Sequence, residues 1–395
     1  MKILAATTTF KPDLREAISK NVVGLYNEIS READVTLLAP GSLSSNQQGA
    51  QFVFKSFSDF NPYGSGRALF FNIRKLRACL KKMELSDFDL IHLHVGFCIE
   101  LFLLFPAIRR TSIPVMVTVW QPYLEASEVR SIFRPGLLRL MKGILPHVFF
   151  NSFLLRPLYR NASKAYRHIV VSSRCQRKQM LKFASADQVG QSANGVAASS
   201  EADRAEGVPS VPRLLYIGHY TPAKGVNCIL KALSLLKERC SFQMTFSFSD
   251  RGHLGRFWTL IDQYGLHDRV TVKGGVHVYK EMSRHDLFLI PYYTSIGVSY
   301  YPNVVLECFA AGLPLISTEI PVMREMLEEV AKDLLVPVNN PLALADRVVS
   351  LLNNRERLDH IGNVLKKLHG ERYDLVGWAK CTVAEYENLL KGVRG

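Results

Sequence analysis

The chain has 395 residues, 49 Lys+Arg against 35 Asp+Glu, a formal charge of +14, 48% hydrophobic residues and only 21% charged ones. That apolar content excludes a mainly disordered chain, and the length supports two buried cores rather than one. A positive surplus carried by few charged groups points to an anionic partner: nucleic acid, an acidic membrane surface or a phosphorylated substrate.

Taken in chain order, Lys2–Ala6 predicts a short buried strand, Arg15–Arg31 a helix with Ile18, Val22, Leu25 and Ile29 on one stripe, and Asp34–Pro40 a second strand. Arg67–Lys82 predicts an amphipathic helix whose stripe is Leu69, Ile73, Leu76 and Leu80, with Arg74, Lys75, Lys81 and Lys82 largely off it. Further strands are expected at 89–95, 114–119 and 168–172, which makes a βαβ series and a parallel sheet covered by helices. Residues 201–212 lose all periodicity and read as a linker. The series then restarts, with strands at 213–218, 241–248, 270–272, 286–291 and 314–318 and helices at 226–237 and 303–311. The expected architecture is α/β, with two Rossmann-like, doubly wound parallel-sheet domains facing a cleft and ligands beyond the carboxyl ends of the strands.

The charge is not evenly spread. Residues 1–205 hold 27 Lys+Arg against 15 Asp+Glu, a surplus of 12, whereas residues 206–395 hold 22 against 20, a surplus of 2. Between Val129 and Ala186 stand twelve basic residues and no acid, among them Arg130, Arg134, Arg139 and Lys142. The seven cysteines are widely spaced, odd in number and without CxxC or Cys/His ligand spacing, so buried thiols in a reducing compartment are expected, and no metal. The opening apolar run is too short for a signal peptide, and no stretch beside the basic region reaches the ~20 residues of a spanning helix.

Three places in the second half carry chemistry. In Gly218-His-Tyr-Thr-Pro-Ala-Lys-Gly225, a glycine at a strand end admits a close ligand and Lys224 precedes a helix whose first amides favour an anion; a common Lys-Gly turn is the bland alternative. In Tyr300–Gly312, Asn303 is expected to cap a helix with free amides, at Val304 among others. Glu307 follows amid Val304, Val305, Leu306, Cys308 and Phe309, where an unpaired carboxylate costs several kcal/mol. A surface Glu complementing the helix dipole is the alternative there. In Glu319–Glu325, Glu325 stands at an expected helix start. In the first half, His92 and His94 lie two apart on a strand and so share a face; a catalytic His94 competes with a satisfied core histidine.

Tyr216–Gly225, Ala193-Asn-Gly-Val196 and Pro302-Asn-Val-Val-Leu-Glu-Cys-Phe-Ala-Ala-Gly-Leu-Pro314 together resemble the signature segments of the retaining GT-B glycosyltransferases of the "glycosyl transferases group 1" family, and Tyr373–Gly392 resembles that family's closing helix. The resemblance implies an acceptor-binding domain over 1–205, a nucleotide-sugar-binding domain over 206–374 and a helix over 375–395 that crosses back to the first domain. It implies that Lys224 neutralises a donor diphosphate, that Glu307 holds the ribose, that amides at Asn303 and Val304 receive phosphate oxygens, and that Glu325 lies near the cleft. It also implies that Gly218 lines the donor site. The first glutamate of the family's Glu-x7-Glu motif falls on Ser299, the arginine usually paired with the lysine on His219, and the usual first-domain histidine on Trp120.

The expected reaction is transfer of a sugar from a nucleoside-diphosphate sugar to an acceptor hydroxyl with retention. It needs no cofactor and no metal, since Lys224, helix-start amides and a protonated His219 would stabilise the leaving group. The basic first half then suits a lipid-linked or cell-envelope glycan acceptor and an anionic membrane, met at the cytoplasmic face as a peripheral protein. A nucleotide-sugar epimerase and a non-enzymatic anion-binding relative are the competing readings. Nucleic acid is not expected as a partner, because no recognisable nucleic-acid module is present.

Overall fold

The computed structural model describes residues 1–11, 16–42, 51–58, 66–109, 111–121, 124–125, 152–199, 211–249, 254–295, 300–328, 330 and 332–394. It divides into two compact units, Met1–Gly195 with Leu375–Gly395, and Val196–Asp374.

The strands of the first unit are β1 (Lys2–Thr7), β2 (Asp34–Ala39), β3 (Val53–Ser56), β4 (Leu90–Phe97), β5 (Val115–Gln121), β6 (His168–Val171) and β7 (Val189–Gln191). Those of the second are β8 (Arg213–Gly218), β9 (Gln243–Phe248), β10 (Val270–Gly274), β11 (Leu287–Ile290), β12 (Leu315–Thr318) and β13 (Leu335–Val336). The helices α1 (Ala17–Ile29), α2 (Gly66–Lys82), α3 (Cys98–Ile108), α4 (Arg156–Ser163) and α5 (Arg174–Met180) lie in the first unit. The second holds α6 (Val226–Leu236), α7 (Gly255–Tyr264), α8 (Val278–Met282), α9 (Asn303–Ala311), α10 (Pro321–Leu327), α11 (Pro341–Leu352) and α12 (Arg355–Leu368). A last helix, α13 (Leu375–Arg394), returns to the first unit.

All strand pairs are parallel, in the orders β3-β2-β1-β4-β5-β6-β7 and β10-β9-β8-β11-β12-β13. Parallel strands are covered on both faces, which is why β4 reads Leu-Ile-His-Leu-His-Val with every one of these residues buried. In each sheet the winding reverses once, between β1 and β4 and between β8 and β11. Those are the positions where such sheets open a crevice at their carboxyl ends.

Helix α13 joins the core of the first unit through Trp378, Ala379 and Tyr386, which pack with Ile3, Tyr26, Met116 and Trp120. Burying a Trp and a Tyr removes about 150–250 Å² each from water, an upper bound of about 4–6 kcal/mol apiece at about 25 cal/mol per Å². The passage between the units is fixed in the second one. The Val196 amide donates to Tyr373 O at 2.9 Å and His369 Nε2 donates to Val196 O at 3.0 Å, so the outgoing and returning chains lie side by side. The division thus falls at Gly195, ahead of the expected linker, most of which (201–210) lies outside the described residues.

Some local expectations change. Helix α1 starts at Ala17, where Glu16 accepts the Ser19 amide at 3.0 Å. Strands β3, β7 and β13 were not expected: β3 is exposed at Val53, Lys55 and Ser56, and β7 and β13 have only three and two residues. The cysteines are all free, but only Cys98, Cys228 and Cys308 are buried, and Cys381 is exposed.

Candidate functional site

The crevice between β8 and β11 gathers most of the second-half residues singled out from the sequence. After β8, the chain runs through Gly218 and His219 into a single tight turn, Pro222–Lys224, and then α6. A side chain at Gly218 would place its Cβ 2.9 Å from Tyr216 Oη, which donates at 2.8 Å to the carbonyl of His219. His219 itself is exposed. Gly225, at φ +74°, starts α6 so close to the end of β11 that a Cβ there would lie 1.8 Å from Pro291 O. The Tyr293 amide donates to Ala223 O at 2.9 Å. The Lys224 turn is therefore clamped to the segment leaving β11 by backbone alone.

Lys224 is half-buried, and its Nζ stands 4.8 Å from the centroid of the Tyr292 ring. No carboxylate pairs with it among the described residues, and burial pulls its ammonium down to about 8. Tyr292 is fully buried, Thr318 Oγ1 donates to its carbonyl at 2.5 Å, and its hydroxyl has no hydrogen-bond partner among the described residues. An ammonium held against a π face, with no carboxylate partner among the described residues, can receive an anion. Tyr292 was missed in the sequence. The signal was an aromatic pair, Tyr292-Tyr293, directly after the apolar run of β11, but nothing local says which ring lies under the lysine.

On the other side of the crevice stands α9. Asn303 is not its cap: the N-cap is Pro302, whose carbonyl receives the amides of Val305 and Leu306 at 2.9 and 3.2 Å, and Asn303 is the first helical residue. The extended backbone that precedes a helix suits proline's fixed φ, so Pro302 displaces Asn303 by one position. The first amides of the helix, Asn303 and Val304, remain outside the intrahelical ladder. Glu307 is 4% exposed, which removes the reading of a surface dipole partner. Burial, with a smaller contribution from the charge of Glu307, raises the Tyr279 phenol, and Tyr279 Oη donates at 2.5 Å to Ala197 O.

Glu325 is not at a helix start but one turn inside α10, which begins at Pro321. It accepts the Tyr301 hydroxyl at 2.7 Å. Tyr301, immediately before the Pro302 cap, sits at φ +55°, a conformation costly for a bulky residue, and is held by an edge-on contact with Tyr373 at 5.6 Å. Tyr301 too was missed, since a left-handed tyrosine has no sequence signature. Ser299 lies outside the described residues.

In the first unit, His94 is buried on β4, its Nε2 2.7 Å from Tyr26 Oη, its Nδ1 without a partner among the described residues, and its ring stacked on Trp120 at 6.0 Å. His92 completes the cluster, with Nδ1 2.9 Å from Tyr26 Oη and 2.6 Å from Tyr386 Oη, and Nε2 2.8 Å from Thr118 Oγ1. Burial pushes His94 down to about 3 and His92 well below its ordinary value, so both rings are neutral at physiological pH. Arg74 and Lys75 are exposed on α2, with Ile73, Leu76 and Leu80 buried beneath them and Phe70 39% exposed beside them. Arg130, Arg134, Arg139 and Lys142 lie outside the described residues.

Two doubly wound parallel-sheet units, with an anion-receptive crevice in the second, define the GT-B class. Solved structures share this fold over nearly the whole chain. HepE of Anabaena in complex with UDP superposes with a TM-score of 0.72 over 98% of this chain and 100% of that one at 14% identity. A glycosyltransferase from Rickettsia africae gives 0.71 over 99% and 98% at 15% identity. Residues 211–354 match the family described as "Glycosyl transferases group 1". Among curated relatives, an alpha-D-kanosaminyltransferase of Streptomyces kanamyceticus is 28% identical over 190 residues, 45% of this chain and about half (47%) of that one. The phosphatidyl-myo-inositol mannosyltransferase of Mycobacterium tuberculosis is 27% identical over 346 residues, 83% of this chain and 81% of its own length.

Proposed function

We propose that the chain is a glycosyltransferase that moves a sugar from a nucleoside-diphosphate sugar to an acceptor hydroxyl with retention of anomeric configuration. The observation that carries this reading is Lys224: a desolvated ammonium with no carboxylate partner among the described residues, over Tyr292, at the switch point where α9 begins. In this reading Lys224 and the Asn303 and Val304 amides receive the diphosphate, Glu307 holds the ribose, and Gly218, His219, Ser299 and Glu325 line the donor. The bond from the anomeric carbon to the β-phosphate oxygen breaks while the acceptor oxygen bonds the same face. The acceptor proton passes to the departing phosphate, and the charge of the leaving diphosphate is met by the lysine and the amides rather than by a metal. His94, whose ring is buried and neutral, serves the acceptor side from beneath the surface.

The acceptor in this reading is a lipid-linked or cell-envelope glycan, reached from the cytoplasmic face of the membrane. Support comes from the basic first half, from the exposed Arg74, Lys75 and Phe70 on α2, and from relatives named for phosphatidyl-myo-inositol. Among the described residues no helix is long and apolar enough to cross a membrane. Direct binding of UDP-, GDP-, ADP- and dTDP-sugars to the wild-type chain and Lys224→Ala tests the assignment. Equal sugar-nucleotide binding and turnover by the two proteins would sink it, and conversion of the donor sugar without an acceptor would instead identify an epimerase.

A further inference from the structure

The segment that delivers α9 to the crevice carries backbone strain at one residue. Among the described residues, two that are not glycine have a left-handed backbone, Asn339 and Tyr301. Asparagine is an ordinary occupant of that region, whereas a bulky aromatic residue is an outlier there. At Tyr301 the cost is compounded by the next residue, Pro302, since the position before a proline is driven towards extended backbone. Such a conformation persists only where its surroundings over-determine it.

Here the surroundings act through the side chain. Tyr301 is 4% exposed. Its hydroxyl donates at 2.7 Å to Glu325 Oε1, on α10, and its ring meets that of Tyr373 edge-on at 5.6 Å and 82°. The Tyr373 ring also meets Phe309, further along α9, at 5.7 Å, and the Tyr373 carbonyl receives the Val196 amide, so this support is anchored by both ring and backbone. Two elements distant in sequence thus grip one side chain whose own backbone is in a costly state. Directly after it, Pro302 (φ −61°, ψ 129°) caps α9 and sets the direction in which the Asn303 and Val304 amides leave the helical ladder. Relaxation of Tyr301 to extended backbone would rotate that cap, and Pro302, its φ fixed by its ring, has little freedom to compensate.

We propose that Tyr301 is a positioning residue: gripped by Glu325 and Tyr373, its left-handed backbone aims the first amides of α9 at the donor diphosphate. This rests on the transferase reading and deepens it, because it is in that reading that those amides receive phosphate. The tyrosine side chain acts through the backbone and not on the donor. A glycine would enter the same turn without strain but would leave it free to open, whereas the gripped tyrosine holds it.

The test compares Tyr301→Gly, Tyr301→Asn, Tyr301→Ala and Tyr301→Leu in the full chain. Glycine and asparagine enter left-handed backbone readily; alanine and leucine do not. Amide NMR of the ligand-free proteins should leave the Asn303 and Val304 signals near their wild-type positions in Tyr301→Gly and Tyr301→Asn and move them in Tyr301→Ala and Tyr301→Leu. Whichever of UDP, GDP, ADP and dTDP binds the wild type most tightly serves as the probe. Its affinity should stay within about threefold of the wild type in the first two variants and fall about tenfold in the other two. Packing alone gives a different order, since leucine refills the buried space better than glycine, alanine or asparagine, and urea denaturation should show that order for stability. Tyr301→Asn and Tyr301→Leu, similar in size, carry the test if Tyr301→Gly does not fold. Nucleotide affinities that follow the stability order, or are equal in all the variants, overturn the proposal, as do unmoved Asn303 and Val304 signals in Tyr301→Ala and Tyr301→Leu. Failure of all four nucleotides to bind the wild type would overturn the donor-site reading instead, while the amide signals still decide the part played by Tyr301.

Discussion

Lys224 sets stability against function, and the conflict can be measured. Its ammonium is held at about 8 against 10.5 in water, which at 1.36 kcal/mol per pH unit is a folding penalty of about 3 kcal/mol at pH 7. The Tyr292 face returns about 0.5–2 kcal/mol of it. Lys224→Met keeps the apolar stem and removes the charge, so the ligand-free variant should be more stable by about 1–2 kcal/mol. For a domain the size of Val196–Asp374 that is a rise in Tm of about 2–8 °C. The sign follows from the depressed value: the wild-type penalty is complete below pH 8 and is relieved between 8 and 10.5, so the two melting curves should converge as pH rises. Calorimetry with and without UDP reads both halves of the argument. UDP at about 100 times its Kd should stabilise the wild type by about 2.7 kcal/mol and the variant far less, and wild-type affinity should be flat below pH 8 and fall about tenfold per unit above it. A variant that melts at or below the wild-type temperature at pH 7, or gains as much from UDP, would refute the reasoning.

Gly225→Ala should lose about 3 kcal/mol or more, seen as loss of soluble protein or a collapsed Tm, since its Cβ would meet Pro291 O at 1.8 Å in a left-handed backbone; Gly255→Ala, with nothing within 4 Å, is the neutral control. Tyr301→Phe removes the hydrogen bond to Glu325 while leaving the ring on Tyr373, and should cost about 1.5–3 kcal/mol in urea denaturation. Sedimentation with anionic but not neutral liposomes, weakened by salt and by Arg74→Glu with Lys75→Glu, tests the surface of α2; equal binding to both liposome types would reject it.

The strands other than β3, β7 and β13 were legible because parallel strands buried on two faces must be largely apolar, as Leu287–Ile290 is throughout. Glu307 was legible for a related reason, since its flanks foretold burial. What the sequence hid depends on distant pairing or on backbone detail. Tyr292 lies under Lys224 only because β8 and β11 are neighbours, and Pro302 takes the cap that Asn303 would chemically favour.

The return of α13 to the first unit bears on how the protein is made. Synthesis runs from the amino end, so β1 to β7 leave the ribosome long before Trp378 and Tyr386, which complete their core. The second unit, whose residues 196–374 are contiguous, can finish folding first. Until the last twenty or so residues emerge, Tyr26, His92 and Trp120 await the helix that covers them. The domain synthesised ahead of its neighbour is thus the later to be closed, and a chaperone that shields nascent apolar surface would have its longer task there.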